Sequence, residues 1–351
     1  MVNSLTTSLF ANSMRLKTVY IYPDRTYSTY PDANPYREDL AKGLSDAGIN
    51  VIRSRTAWLG TMDFFLYMWK MDFIVFNWIE EVANRTMGGI QTVAFLLVLP
   101  LLKIFKVKIV WTVHNKVGHN KKNVWIAGKI RNIMAKKADL IISHTQHGLD
   151  ELPSPDKKKK HYPHPFKIAI NEPYNDHAPI VDLLLWGKLA PYKGILEFLQ
   201  YLDDKGLKHR FSISVQGECN DVVYLQKIKN FECQNIEIHN TYLSSADLSA
   251  MMHKAKIIVF THKAGSVLSS GALVESLGHL KTIIGPAIGN FNDFKSEGII
   301  YTYNGFDELV TIADELIKGT LPLINPNEIK KFMAPYSWKS YAKFILHELY
   351  V

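Results

Sequence analysis

Short apolar runs alternate with helix-length amphipathic stretches along nearly the whole chain of 351 residues. In the first half the runs are KTVYIY at 17–22, a brief extended piece at 50–53, DFIVFN at 72–77, KIVWTVH at 108–114 and a further run at 139–144. Helical patterns over 36–46, 89–105 and 124–138 separate them. In the second half DLLLWG opens at 182, followed by runs at 210–216, 235–238, 256–261, 281–285 and 298–303. Helical patterns cover 194–205, 222–230, 245–255, 271–280, 306–318, 326–333 and 337–349. Strand–helix–strand order with continuously apolar strands predicts parallel sheets covered by helices on both faces, an α/β class.

A single core rarely grows beyond roughly 250–300 residues, so a chain of this length predicts two domains. The break falls in 153–180, which holds six prolines and the run Lys157–Lys160. Charge divides at the same place. Up to residue 170 there are 24 Lys and Arg against 13 Asp and Glu, a net of +11; beyond it there are 17 against 20, a net of −3. A basic first half suits an anionic membrane surface, with nucleic acid as the rival partner and an ordinary solvated surface as the plain alternative. Aromatic residues do not interleave with lysines as a base-stacking platform would need, so no nucleic-acid partner is expected.

The longest unbroken apolar run, Val93–Leu102, is ten residues, where a spanning helix needs about 20. A buried or interfacial helix is expected there, and the aromatic stretch from Phe64 to Trp69 also reads as core or interface. Residues 1–14 lack a basic start, which argues against an export signal. Cys219 and Cys233 form neither a CxxC pair nor a metal cluster, and a reducing compartment is the simpler home. A cytoplasmic protein, peripheral on the inner face of the plasma membrane, is the expectation.

Open α/β sheets bind ligands beyond the carboxyl ends of their strands, and three polar constellations fall there. WTVHN at 111–115 places His114 at a strand end, with His119 in the following loop; such a histidine can contact a sugar or phosphate, or simply structure its own loop. GKLAPYKG at 187–194 sets Lys188 and Lys193 around a strand-to-helix turn, where two cations beside free helix amides make a diphosphate site or an ordinary surface turn. Its spacing matches neither the ATPase P-loop nor the full dinucleotide fingerprint. Ser269, Ser270 and Gly271 open a helix whose first amides can surround an anion. Glu275, four residues on, can accept hydrogen bonds from a ribose diol or balance the helix dipole.

These segments carry a resemblance. VYIYP at 19–23, NPY at 34–36, FNWIE at 76–80, TVHN at 112–115, GKLAPYKG, SSGALVESLGHLKTIIGP at 269–286 and YSWKSYAKFILHELY at 336–350 together resemble bacterial nucleotide-sugar glycosyltransferases of the GT-B type. The nearer likeness is to surface-polysaccharide transferases close to the large retaining group four. The resemblance implies two Rossmann-like domains facing across a cleft, with a C-terminal helix crossing back to the first. The implied division is 1–170 for the acceptor, 171–335 for the nucleotide-sugar donor and 336–351 for the crossing helix.

It further implies that Lys188, Lys193, Ser269, Ser270, Gly271 and Glu275 bind the donor, Lys188 standing where an arginine is usual. His114 matches an active-site histidine, and Asn34, Tyr36, Trp78, Asn115 and His119 fall to the acceptor side. One departure matters: eight residues before Glu275, where retaining members carry a first glutamate, stands Val267. Stereochemistry is therefore open, and an inverting enzyme needs a base, for which Asp24, Asp32, Glu80 and Glu81 are the strand-end candidates. The expected reaction is sugar transfer from a UDP- or GDP-linked donor to a glycan or polyprenyl-linked acceptor, with no metal or other cofactor required. The alternative is a noncatalytic nucleotide- or sugar-binding protein on the same fold.

Overall fold

The computed structural model describes residues 16–24, 35–53, 60–114, 123–150, 152–169, 180–264 and 269–351. The chain builds two six-stranded sheets in which every pairing is parallel. The first half runs β1 (Thr18–Tyr22), α1 (Tyr36–Asp46), β2 (Asn50–Ile52), α2 (Asp63–Tyr67), β3 (Phe73–Asn77) and α3 (Gly88–Ile104). It continues with β4 (Lys108–Val113), α4 (Val124–Lys137), β5 (Leu140–Ser143), α5 (His147–Asp150) and β6 (Lys159–His161).

The second half runs β7 (Val181–Trp186), α6 (Ile195–Asp204), β8 (Ile213–Gly217), α7 (Val222–Lys229), β9 (Ile236–Asn240), α8 (Ser245–Lys254) and β10 (Ala255–Val259). After these come α9 (Gly271–Gly278), β11 (Thr282–Pro286), α10 (Gly289–Ser296), β12 (Tyr301–Tyr303), α11 (Phe306–Lys318), α12 (Pro326–Met333) and α13 (Trp338–Tyr350).

The strand orders are β2-β1-β3-β4-β5-β6 and β12-β11-β10-β7-β8-β9. Each order reverses once, beside β1 in the first sheet and beside β7 in the second, and it is beyond such reversals that open α/β sheets hold ligands. Both sheets are covered on both faces. In the first, Phe64, Phe95, Leu102 and Met134 pack one face from α2, α3 and α4, while Leu40, Leu44, Tyr341 and Ile345 pack the other from α1 and α13. In the second, Phe198, Leu202 and Leu309 cover one face, and Leu273, Leu277 and Phe291 the other.

The last helix does cross back. Ser337 caps it through its hydroxyl to the Ser340 amide at 3.1 Å, and α13 then lies against α1. The approach is close enough that a Cβ on Gly43 would stand 2.6 Å from the Trp338 carbonyl oxygen. This is the GT-B arrangement of two Rossmann-like domains across a cleft. The helix α3, which carries the apolar run at 93–102, is one face core and one face surface: Phe95, Val98, Leu99 and Leu102 are buried, whereas Ile90, Val93, Leu97 and Ile104 are exposed. No helix among the described residues is long and apolar enough to cross a membrane.

The lysine run differs from the loop expected for it. Lys159–His161 is an edge strand pairing with β5. Lys158 Nζ donates to the Ala138 carbonyl at 3.1 Å, and Lys160 Nζ pairs with Glu348 at 2.7 Å. These three lysines are tied into the fold as much as they face solvent.

Candidate functional site

The walls of the cleft come from strand ends. β7 stops at Trp186, whose indole N–H donates to Ser276 Oγ at 2.8 Å and so fixes β7 against α9. Gly187 follows with a φ of +105°, and the chain turns through Lys188 into a single 3-10 turn, Pro191–Lys193, before Gly194 opens α6. Gly194 is dictated twice over. Its φ is +69°, and a Cβ there would stand 2.1 Å from the Thr261 carbonyl oxygen. Gly217, at the end of β8, lies equally close to β7: a Cβ on it would be 1.8 Å from the Gly187 oxygen.

The cavity at these ends has a volume of about 650 Å³, within the range of small-ligand sites. Lys188, Lys193, Ser269, Ser270, Gly271 and Glu275 all line it. Six positions spread over 88 residues of sequence thus converge on one wall. Lys188 reaches in from the solvent side. Burial holds the Lys193 ammonium down at about 8.

The Ser270 hydroxyl caps α9 by accepting from the Leu273 amide at 3.3 Å, and the Ser270 amide donates to Asn290 Oδ1 at 3.1 Å. Those two groups are therefore spent inside the fold, and the amides left for an anion are those of the first helical residues, Gly271 and Ala272. Burial raises the Glu275 carboxyl, Lys167 lowers it, and Asp39 adds to the rise.

The opposite wall comes from the start of α1. Tyr36 lines the cavity, and its hydroxyl lies 2.8 Å from His144 Nε2. His144 Nδ1 lies 2.9 Å from the Tyr162 carbonyl. A carbonyl can only accept, so Nδ1 carries the proton and Tyr36 donates to Nε2. Around this pair sits an aromatic cluster: the Tyr36 ring meets His114 at 4.7 Å, Trp338 at 4.9 Å and Trp78 at 5.6 Å, all edge-on. Trp78 takes a left-handed φ of +48° and stacks on His114 with centroids 4.0 Å apart.

His114 itself hydrogen-bonds Asn77 Oδ1 through Nε2 at 3.0 Å. Burial keeps it neutral, well below the usual histidine range. It stands one ring behind Tyr36 and does not line the cavity.

Of the four carboxylates named for the base role, Asp24, Glu80 and Glu81 are among the described residues, and Glu81 does not line the cavity. Asp24 is buried and paired with Arg53 at 3.0 Å. Glu80 is buried in the 3-10 turn Ile79–Asn84, where burial pushes its carboxyl up to about 7. Neither lines the cavity. Asn34, Asn115 and His119 lie outside the described residues, as do Asp32 and Val267.

The first-domain carboxylate that does line the cavity is Asp39, one turn along α1 from Tyr36 and ion-paired with Lys167. Sequence reasoning missed it, because an aspartate in a first helical turn reads as dipole compensation. Tyr242 and Leu243, just past β9, also line the cavity, and no motif announces them. Among the described residues no group of three or more His, Cys, Asp or Glu is placed to hold a metal ion.

No protein-family model and no curated protein matches the chain by sequence. Solved structures match it by fold. HepE from Anabaena, in complex with UDP-glucose, superposes with a TM-score of 0.65 at 14% identity over 95% of this chain and 100% of that one. AviGT4, a glycosyltransferase involved in avilamycin A biosynthesis, gives a TM-score of 0.62 at 13% identity over 95% and 97% of the two chains. A glycosyltransferase from Rickettsia africae gives 0.58 at 13% identity, again over 95% and 97%. At such identities the likeness is one of fold, and the fold shared is GT-B.

Proposed function

We propose that the protein is a glycosyltransferase that moves a sugar from a nucleoside-diphosphate sugar to a glycan or lipid-linked acceptor in the building of a surface polysaccharide or glycolipid. The observation that carries the reading is the convergence of Lys188, Lys193, the α9 amides and Glu275 on one cavity at the carboxyl ends of the second sheet. The related folds solved with UDP or UDP-glucose support a UDP-linked donor, with GDP as the other base to be tested.

Glycosyl transfer needs stabilisation of a departing nucleoside diphosphate while positive charge grows at the anomeric carbon. Two ammonium groups and the positive end of α9 supply that stabilisation at the diphosphate. Glu275 accepts hydrogen bonds from the ribose diol, and Tyr242 and Leu243 take the base. The acceptor enters from the first domain, over Tyr36 and Asp39. Closure of the two domains excludes water, which otherwise competes as acceptor. The division at 170/171 and at 335/336 follows from this assignment of roles.

The first domain is also the membrane side in this account. The helices α2, α3 and α4 share one face of the first sheet, and α3, α4 and the turn after α2 expose Trp69, Ile90, Val93, Leu97, Ile104 and Trp125. Lys70, Lys103, Lys106 and Lys129 flank them on the same elements and turns. Apolar contact plus basic charge fits the inner face of an anionic plasma membrane and a polyprenyl-linked acceptor presented from it.

The test is a thermal-shift panel of UDP, GDP, ADP, dTDP and CMP, with and without Mg²⁺, on the wild-type chain and on Lys193→Ala. A metal-independent rise with one diphosphate that Lys193→Ala abolishes is the expected result. A folded sample that shifts with none of them at millimolar concentration overturns the donor reading. The noncatalytic alternative, favoured by Val267 in place of a glutamate, is distinguished by binding without turnover of any nucleotide sugar.

A further inference from the structure

His262 follows β10, and its ring forms part of two walls at once. It lines the donor cavity and also a second hollow of about 340 Å³ at the ends of β10, β11 and β12. Only 4% of the residue is exposed, yet neither Nδ1 nor Nε2 has a hydrogen-bond partner among the described residues. Its ring neighbours are aromatic: Phe291 at 5.6 Å, Phe260 at 5.7 Å and Tyr192 at 6.3 Å. A neutral imidazole carries one donor and one acceptor, and burying either without a partner is unfavourable. An apolar ring would fill this place more cheaply, so the imidazole is explained by something that completes it.

Its placement indicates what. The residues on either side of His262 hold the turn that carries Lys193. Thr261 Oγ1 donates to the Lys193 carbonyl at 2.7 Å, and the Lys263 amide donates to the Tyr192 carbonyl at 3.0 Å. The close approach of Gly194 to the Thr261 oxygen locks the same seam. His262 and Lys193 are therefore held in a fixed relation in one wall of the cavity, a neutral imidazole beside a cation.

We infer that His262 is a ligand of the donor diphosphate, its N–H donating to a phosphate oxygen that Lys193 also holds. This assignment rests on the nucleotide-sugar reading and adds to it a residue that no motif marks. Burial and the Lys193 charge both keep the imidazole neutral in the free protein, which suits a group that serves as a donor without adding a second cation.

The experiment is isothermal titration of the wild-type chain, His262→Phe and His262→Asn with UDP and with GDP, alongside thermal unfolding of each chain without nucleotide. His262→Phe keeps an aromatic ring but removes both nitrogens. It is expected to weaken binding of the preferred nucleotide at least about tenfold while leaving the unfolding temperature unchanged or raised. His262→Asn retains an N–H and is expected to keep part of the affinity, and it serves if the phenylalanine variant does not fold. Wild-type affinity in both variants overturns this assignment while leaving the donor reading intact. Absence of nucleotide binding by the wild-type chain overturns the donor reading, and this assignment with it.

Discussion

If Lys193 holds the donor diphosphate as proposed, nucleotide binding is expected to depend steeply on pH in a window where ordinary lysines are silent. Burial in the cavity wall lowers its ammonium to about 8 from an ordinary 10.5. A diphosphate binds the charged form, so apparent affinity scales with the protonated fraction of the free protein. That fraction falls from about three-quarters at pH 7.5 to about 3% at pH 9.5, a loss of about 25-fold in affinity, whereas an unshifted lysine loses about 10% over the same interval.

The phosphate groups are already ionised throughout, with a second pKa near 6. The other groups around Lys193 do not imitate the effect: burial keeps Tyr192 protonated above its usual range, and His262 is neutral throughout. The assay is titration calorimetry with the preferred diphosphate at both pH values and fixed ionic strength, on wild type, Lys193→Arg and Lys193→Met. Wild type is expected to weaken about 25-fold, Arg to stay flat within a factor of about 2, and Met to bind weakly and without pH dependence. A wild-type affinity that is flat from 7.5 to 9.5, or a Met variant that binds like wild type, refutes the placement of Lys193 on the diphosphate.

Other perturbations test the fold and surface. Gly194→Ala, with a Cβ driven to 2.1 Å from the Thr261 oxygen, is expected to lower stability by more than about 2 kcal/mol, read by urea unfolding. Gly206→Ala, with a similar φ of +66° but open space around it, is expected to cost only about 1 kcal/mol. Val93→Glu with Leu97→Glu on the exposed face of α3 is expected to abolish sedimentation with vesicles containing anionic lipid while moving the unfolding temperature by less than about 2 °C; retained sedimentation refutes the membrane face.

Acid should destabilise the free protein. Burial depresses His114, His144 and His164, the last to about 4. The unfolded chain therefore binds more protons below the ordinary value of 6.5. Stability is then lost as pH falls through 6.5, each histidine contributing up to about 1.4 kcal/mol per pH unit. Unfolding temperatures at pH 7.5 and 5.5 check this, and equal values contradict it.

What was legible in the sequence follows from where the information is local. The strands declare themselves as apolar runs because both faces of each sheet are covered, and α11 and α12 coincide with their expected bounds of 306–318 and 326–333 because periodicity and flanking residues agree. The edge strand β6 was hidden because its residues are Lys159, Lys160 and His161, whose ladder partners lie in β5. The helix α10 was hidden because GNFNDFKS opens on two turn-forming residues.

The site divides the same way. Lys188, Lys193 and Glu275 belong to turns and helix starts that carry their own signal. Asp39, Tyr242 and His262 gain meaning only when separate elements meet around one cavity. His114 shows the reverse. Its strand-end position is as expected, but Trp78 folds over it in a left-handed conformation, and Tyr36, not His114, faces the cleft.

The central claim is that the second sheet's carboxyl ends hold a nucleoside diphosphate between Lys188, Lys193 and Glu275. The most direct measurement is a crystal structure with the diphosphate that gives the largest thermal shift. The expected result has phosphate oxygens within hydrogen-bond distance of Lys193 Nζ and the ribose hydroxyls on Glu275. A nucleotide ordered elsewhere on the chain, with this cavity unchanged, contradicts the account.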